Sequence, residues 1–410
     1  MAKLADLLSV DEARDRILAD FHRLDTLHVS LDAALYRVLA EPVVSTINLP
    51  PFANSSMDGF ALDASATAAA SPGHPISLEV AAHIPAGSPV QPRLEPGQCA
   101  RIMTGAPLPP GGTAVIPFEE VDDQGDHIAV FKTLEAGACV RPAGNDVSQG
   151  MEVLSAGTQL GAPQIGLVAA LGIASVPVVR RPIVAILATG DELTTPGASL
   201  EPGHIYNSNS PMLAAAVVEA GGEPLSIETA GDEPAAIAGA IAGLRSADLL
   251  VTSGGASVGD FDHVKDVVGA SGQLDFWRVR VRPGKPLIFG KIRNMPVIGL
   301  PGNPTSAMVT FEEFVRPALR IMLGTAPMRK EIQAVIDERI DNHGGRRTYA
   351  RVKLRHEGGR FYATLSGGQD SAMLLPLAHA DGLLMIPEDR SELLPGEVAT
   401  VQVWRLGASG

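Results

Sequence analysis

Three segments decide the fold: IVAILATGDELTTPG (183–197), LLVTSGGASVGDFDH (249–263) and VIGLPGNPTS (297–306). Each begins with a short apolar run, of the kind buried on both faces of a parallel sheet. Each then breaks into a loop of Gly or Pro mixed with Ser and Thr. Helical patterns lie between them. Pro211–Ala220 is expected as a helix with Ser210 as N-cap and Gly221 beyond its end. Asp232 is expected to cap a second helix reaching Leu244, and Asn303–Pro304 opens a long one running to Leu323 and closed by Gly324. Further strands are read at Leu225–Thr229, Asp248–Thr252 and Phe276–Val281. Strands alternating with helices make a doubly wound parallel sheet, whose ligands bind at the carboxyl ends of the strands.

The loops at those ends are therefore the candidate site. Gly254 and Gly255 let backbone N–H groups turn inward as an anion-binding concavity, and the hydroxyls of Ser253 and Ser257 add donors. Thr189, Gly190 and Asp191 lead the first loop, and Asn303 stands at a helix N-terminus between Pro301 and Pro304. Lys285, held between Pro283 and Pro286, is a candidate point charge for an anion. Carboxylates do not bind oxyanions. Glu192, Asp232, Asp260 and Asp262 beside a phosphate cradle instead suggest a divalent metal bridging to phosphate oxygens. Helix capping alone is the plainer reading of Asp232.

Outward from this centre, Ser9 and Glu12 form a capping box before Val10, Ala13, Ile17 and Phe21 at helical spacing. A second helix is expected from Ser30, with Leu31, Ala34, Leu35, Val38 and Leu39 on one face, ended by Pro42. From about 46 to 146, short β-like runs are cut by Pro and Gly, which reads as an irregular β-rich domain. The last 80 or so residues alternate apolar and polar positions, as in a small β-barrel or sandwich.

Composition narrows the function. With 32 basic and 46 acidic residues the net charge is −14, which argues against nucleic acid or an anionic membrane as main partner. Two cysteines, Cys99 and Cys139, give no disulfide framework, so a reducing cytoplasm is expected. Acidic residues come too early in the N-terminus for a signal peptide. Leu160–Val179 is uncharged, but Gly161, Pro163, Gly166, Gly172 and Pro177 interrupt it. A short helix opened by Pro163 and closed by Gly172, then a strand, fits it better than a membrane span. The histidines show no zinc-ligand spacing, and no Walker P-loop, GxSxG or dinucleotide fingerprint occurs in its proper setting.

NSSMDGFA (54–61), RIMTGAP (101–107), RPAGND (141–146), ATGDEL, TSGGASVGDFDH, RPGKP (282–286) and LPGNPTS, taken in order, resemble the molybdopterin molybdenumtransferase family, the MoeA-type enzymes that include the gephyrin E domain. The resemblance covers nearly the whole chain. It implies four domains: an elongated helical and strand domain (1–45 and 147–178), an inserted β-rich domain (46–146), a molybdopterin-binding α/β domain (179–327) and a C-terminal β-barrel (328–410). It also implies an elongated homodimer in which the β-rich domain of one subunit covers the α/β domain of the other. The reaction implied is insertion of molybdate into adenylylated molybdopterin, with release of AMP, aided by Mg²⁺. A molybdopterin adenylyltransferase would act upstream, and molybdoenzyme apoproteins would receive the product. The family's functional positions fall on Asp58, Thr104, Glu192, Asp232, Asp262, Lys285, Pro301 and Pro304, with Glu192, Asp232 and Asp262 as candidate metal ligands. Ala256, Asn145 and Phe60 depart from the commoner Val, Glu and Tyr. Adenylylation of molybdopterin and a catalytically silent scaffold are the alternative readings. Molybdate and tungstate are too alike for the sequence to separate.

Overall fold

The computed structural model describes residues 7–89, 92–226, 233–244, 246–254, 263–342 and 345–405. They fall into two compact units: Met1–Leu27 with Tyr36–Ala40 and Val178–Gly410, and His28–Leu35 with Glu41–Pro177.

The second unit is built on six strands: β1 (Gly59–Leu62), β2 (Ile76–Ile84), β3 (Gln98–Ile102), β4 (Ala114–Pro117), β5 (Val121–Asp123) and β6 (His127–Val130). Their order is β4-β1-β3-β2-β6-β5. Phe60, Leu62, Leu78, Cys99, Ile116 and Ile128 fill one core, and Ala61, Ile84, Ile102 and Val115 another. Adjacent residues therefore serve opposite faces, as the two-residue strand period requires. Burial lifts the Cys99 thiol to about 12, so it behaves as an apolar filler. The uncharged segment forms the helix Ala162–Ala170, then Gly172 at φ 75° and a strand Ser175–Val179. No helix among the described residues is long and apolar enough to cross a membrane.

The first unit opens with helix Val10–Leu18. Ser9 Oγ accepts from the Glu12 N–H, and the Ser9 N–H reaches back to the Glu12 carboxylate, the expected capping box. The central sheet contains β7 (Ile183–Ala188), β8 (Glu223–Ser226), β9 (Leu249–Ser253), β10 (Gly272–Arg278), β11 (Pro286–Ile292) and β12 (Met295–Leu300). The order β8-β7-β9-β12-β11-β10 starts with four parallel strands and ends with two antiparallel pairings, β12 with β11 and β11 with β10. That antiparallel edge was not foreseen. Arg293 and Asn294, at φ 49° and 70°, make the two-residue turn that joins β11 to β12. Val10, Ile17, Phe21, Val184, Val251, Ile298, Phe311 and Leu319 share one core on one side of this sheet.

A third sheet closes on itself: β13 (Glu331–Ile336), β14 (Arg347–Glu357), β15 (Arg360–Leu365), β16 (Gly382–Ile386) and β17 (Val398–Val403) pair as a five-strand barrel in the order β14-β15-β13-β17-β16, with β16 returning to β14. The short strand Val281–Arg282, just before RPGKP's glycine, pairs in parallel with Arg347–Thr348. It ties the lysine loop to the barrel.

Three local expectations need correction. Residues 31–39 are not a helix: only Leu31–Ala33 makes a 3₁₀ turn, and Tyr36 at φ 60° is incompatible with α-helical continuation. The helix expected from Pro211 begins at Asn209, and Asn207 Oδ1, not Ser210, accepts from its first turn, through the Ser210 N–H at 3.0 Å. The following helix is Pro234–Ala242 with Glu233 in the N-cap position, while Asp232 lies outside the described residues.

Candidate active site

The carboxyl ends of β7, β9 and β12 lie side by side, with Ala188 opposite Ser253 and Ser253 opposite Leu300. Two backbone bonds continue this ladder into the loops, Thr189 N–H to Ser253 O at 3.1 Å and Gly254 N–H to Leu300 O at 3.3 Å. Glycine is needed where these loops touch. At Gly254, φ is 95°, and a Cβ there would stand 2.6 Å from the Thr189 carbonyl. The backbone can approach this closely only without side chains. At Gly190, φ is 146°, a backbone conformation that residues with a side chain rarely adopt.

The loops line a cavity of about 990 Å³. It brings together Thr189, Gly190, Glu192, Ser253, Gly254, Lys285, Pro301, Asn303 and Pro304 of the expected residues. Asp191 is exposed on the same loop and is not among the lining residues. Gly255, Ser257, Asp260 and Asp262 lie, like Asp232, outside the described residues.

The opposite wall comes from the barrel, and the sequence reading missed it. Arg351, 1% exposed, receives the Gln369 Oε1 on its N–H at 2.9 Å and donates Nη2 to the carbonyls of Gly368 and Asp370. Burial pulls its pKa down to about 10, so it stays charged at neutral pH. This folds the loop 367–373 back on the helix that follows β12. There Asn303 Nδ2 donates to Ser371 Oγ at 2.8 Å, the Thr305 N–H to Ser371 O, and the Thr305 hydroxyl to Met373 O. Asn303 stands at the helix N-terminus as expected, in the N-cap position, but its amide makes no capping bond and serves this cross-link instead.

The charge balance is the cavity's main chemical feature. Among the described residues, Arg282, Lys285, Arg346 and Arg351 line it against Glu192, Asp341 and Asp370, an excess of cations inside a chain of net charge −14. Arg346 is held below the usual arginine value first by burial and then by the positive charge of Arg282. Two guanidiniums that repel each other beside a lysine gain from an oxyanion between them. Unmet acceptor capacity is present too: Thr189 Oγ1 and Asn209 Oδ1 are buried without a partner. With the Glu192 carboxylate they offer oxygen donors of the kind a hard cation takes. Among the described residues no three His, Cys, Asp or Glu side chains are grouped to hold a metal.

Asp58 and Thr104 lie in the other unit and form a pair of their own. The Thr104 N–H and hydroxyl both donate to Asp58 Oδ1 at 2.7 Å. The hydroxyl first, and the N–H next, hold this exposed carboxyl below its ordinary value. Nearby, Phe60 meets Phe118 edge to face at 5.2 Å, and the Arg101 guanidinium lies over both rings while pairing with Asp123.

Comparison with known proteins accounts for almost the whole chain. Residues 8–172 match the MoeA N-terminal region (domain I and II), 185–321 a probable molybdopterin binding domain, and 333–404 the MoeA C-terminal region (domain IV). The protein named Molybdopterin molybdenumtransferase 2 of Mycobacterium tuberculosis is 41% identical over 408 residues, covering 97% of this chain and 99% of its own. The Bacillus subtilis molybdopterin molybdenumtransferase is 35% identical, covering 93% and 90%. A crystal structure of a molybdopterin biosynthesis MoeA protein from Pyrococcus horikoshii superposes with a TM-score of 0.85 at 32% identity, covering 98% of this chain and all of that one.

Proposed function

We propose an activity from one premise: this chain belongs to the MoeA family and serves molybdenum cofactor biosynthesis. The reaction that its cavity supports best is insertion of molybdate into adenylylated molybdopterin, with release of AMP. One observation carries this reading: an acidic chain concentrates Arg282, Lys285, Arg346 and Arg351 around glycine-bearing strand-end loops. Such a pocket suits a substrate with two linked phosphates and a second, tetrahedral oxyanion.

The division of labour follows from the lining. The hydroxyls of Thr189 and Ser253, on the loops that Gly190 and Gly254 let approach, donate to the phosphates. Lys285 and the two repelling arginines receive the molybdate dianion and hold it against the substrate. The helical run from Pro304 to Met322 turns its positive end toward the same space. The barrel loop carrying Ser371 completes the cavity wall on the far side. Mg²⁺, when bound, would neutralise charge on the phosphate oxygens, and Glu192 with Asp232 and Asp262 would hold it.

We also propose that the chain works as a homodimer in the cytoplasm, between an upstream adenylyltransferase and downstream apoproteins. Support for the dimer comes from the β-rich unit, where Val44, Ile47, Phe52, Met57 and Met151 are exposed apolar side chains on or beside its paired short strands. Light scattering after gel filtration should give twice the chain mass.

The deciding experiment is anaerobic reconstitution with purified adenylylated molybdopterin, Mg²⁺ and molybdate. Molybdate-dependent release of AMP is expected. ATP consumption with metal-free molybdopterin, and no AMP release, would establish adenylylation instead.

A further inference from the structure

The segment IYNSNS (205–210) supplies a residue whose amide nitrogen has no role in the readings above. Asn209 is the first residue of the helix Asn209–Glu219 and lines the cavity. Its Nδ2 donates to Ser253 Oγ at 2.8 Å and to the Gly302 carbonyl at 2.7 Å. Because a carbonyl can only accept, the second bond fixes which end of the amide is the nitrogen. One side chain thus staples the loop after β9 to the loop after β12.

The consequence falls on Ser253, which is 3% exposed. A serine hydroxyl has one proton to give and two lone pairs to receive. Asn209 occupies a lone pair, so the Ser253 proton must point elsewhere. In the structure its acceptor is the Pro301 carbonyl at 3.5 Å, the outer limit of a hydrogen bond. That proton is free to make a shorter bond to an oxyanion in the cavity.

We infer that Asn209 is a positioning residue that forces the Ser253 hydroxyl to act as a donor toward a bound phosphate. The inference rests on the functional reading above and adds a residue to it. Asparagine is required rather than aspartate. An isosteric carboxylate could only accept, would draw the Ser253 proton to itself, and would face the Gly302 carbonyl as a second acceptor.

AMP, the product of the proposed reaction, is the probe, titrated calorimetrically into the full-length protein with Mg²⁺. Loss of a hydrogen bond to a charged group corresponds to about tenfold weaker binding. Ser253→Ala, Asn209→Ala and Asn209→Asp should each show about that loss, with Asn209→Asp the largest. In the Ser253→Ala background, Asn209→Ala should add nothing, because the residue acts through that hydroxyl. The same non-additivity should appear in KM for adenylylated molybdopterin, while the molybdate dependence stays unchanged. Thermal midpoints accompany every variant, and Asn209→Asp, matched in shape, serves if the alanine variant does not fold. An undiminished loss from either Asn209 substitution in the Ser253→Ala background would overturn the inference. Wild-type protein that neither binds AMP nor releases it would overturn the functional reading, and this inference with it.

Discussion

The cavity of the first unit and the Asp58–Thr104 pair of the second use the same chemical vocabulary to opposite effect. Around the cavity, polar atoms are buried and several are unmet, including Thr189 Oγ1, Asn209 Oδ1 and Arg351 Nε. An unpaired buried polar atom is costly, so such atoms together store capacity that a ligand can satisfy. Asp58, by contrast, is exposed and already accepts two bonds on one oxygen from a single neighbour. It is a fixed carboxylate on an open turn, and by itself it encloses nothing. One unit gathers unmet polar atoms around a cavity; the other fixes a single carboxylate on its surface.

The largest expected effect tests whether that carboxylate serves the cavity of a second subunit, as the family dimer implies. Asp58→Ala and Glu192→Ala homodimers should both be inactive in AMP release. Their heterodimer, purified through two tags, should recover about half the wild-type activity, because one of two symmetric sites carries neither lesion. A heterodimer as inactive as its parents would place both residues' work within one subunit.

Next in size is Lys285→Ala. Removing a charged donor from an oxyanion site raises the molybdate concentration needed for half-saturation by about ten- to a hundredfold. Activity should return at high molybdate. An unaltered molybdate dependence would reduce Lys285 to a surface charge and erase the contrast in electrostatics.

Glycines sharpen the comparison further. Gly254→Ala places a Cβ 2.6 Å from the Thr189 carbonyl at φ 95°, and such strain costs about 1–3 kcal/mol. Gly73→Ala, in the β-rich unit, meets nothing within 4 Å and should leave chemical denaturation midpoints nearly unchanged. Equal effects at the two positions would mean that the loop crossing is not tightly packed.

The smallest effect is a titration. Because Thr104 depresses the Asp58 carboxyl below its ordinary 3.8, the stabilising bonds are fully present above that value. They are lost as pH falls through the depressed one. Thr104→Val, which removes the hydroxyl, should move the Asp58 titration back up when followed by carboxyl-carbon NMR. No movement would show that the hydroxyl contributes nothing.

Much of this molecule is local enough to read from the chain. The capping box at Ser9, the helix between Pro163 and Gly172, and the run Ile183–Ala188 each rest on residues within a turn or two of one another. The strand-end loops are legible for the same reason: Gly, Pro and hydroxyl residues directly follow a buried strand. Where local preference and tertiary demand diverged, the reading failed. Leu31–Leu39 has helical spacing, but its chain bends through a left-handed Tyr36. Pro286–Ile292 becomes a strand by pairing with two others, in a register no local pattern specifies.

Sequence by itself therefore determined the alternating α/β rhythm, the terminal barrel, the family and the candidate residues on the strand-end loops. Only the tertiary structure decided that the barrel supplies the facing wall, through Arg346, Arg351 and Ser371, and that Asn209 bonds to Ser253 and Gly302. Asn209 and Gly302 are separated by 93 positions, and Asn303 and Ser371 by 68. Periodicity and capping act over one or two turns of chain. Convergence over such separations is set by how whole sheets pack and close, and it leaves no local mark in the sequence.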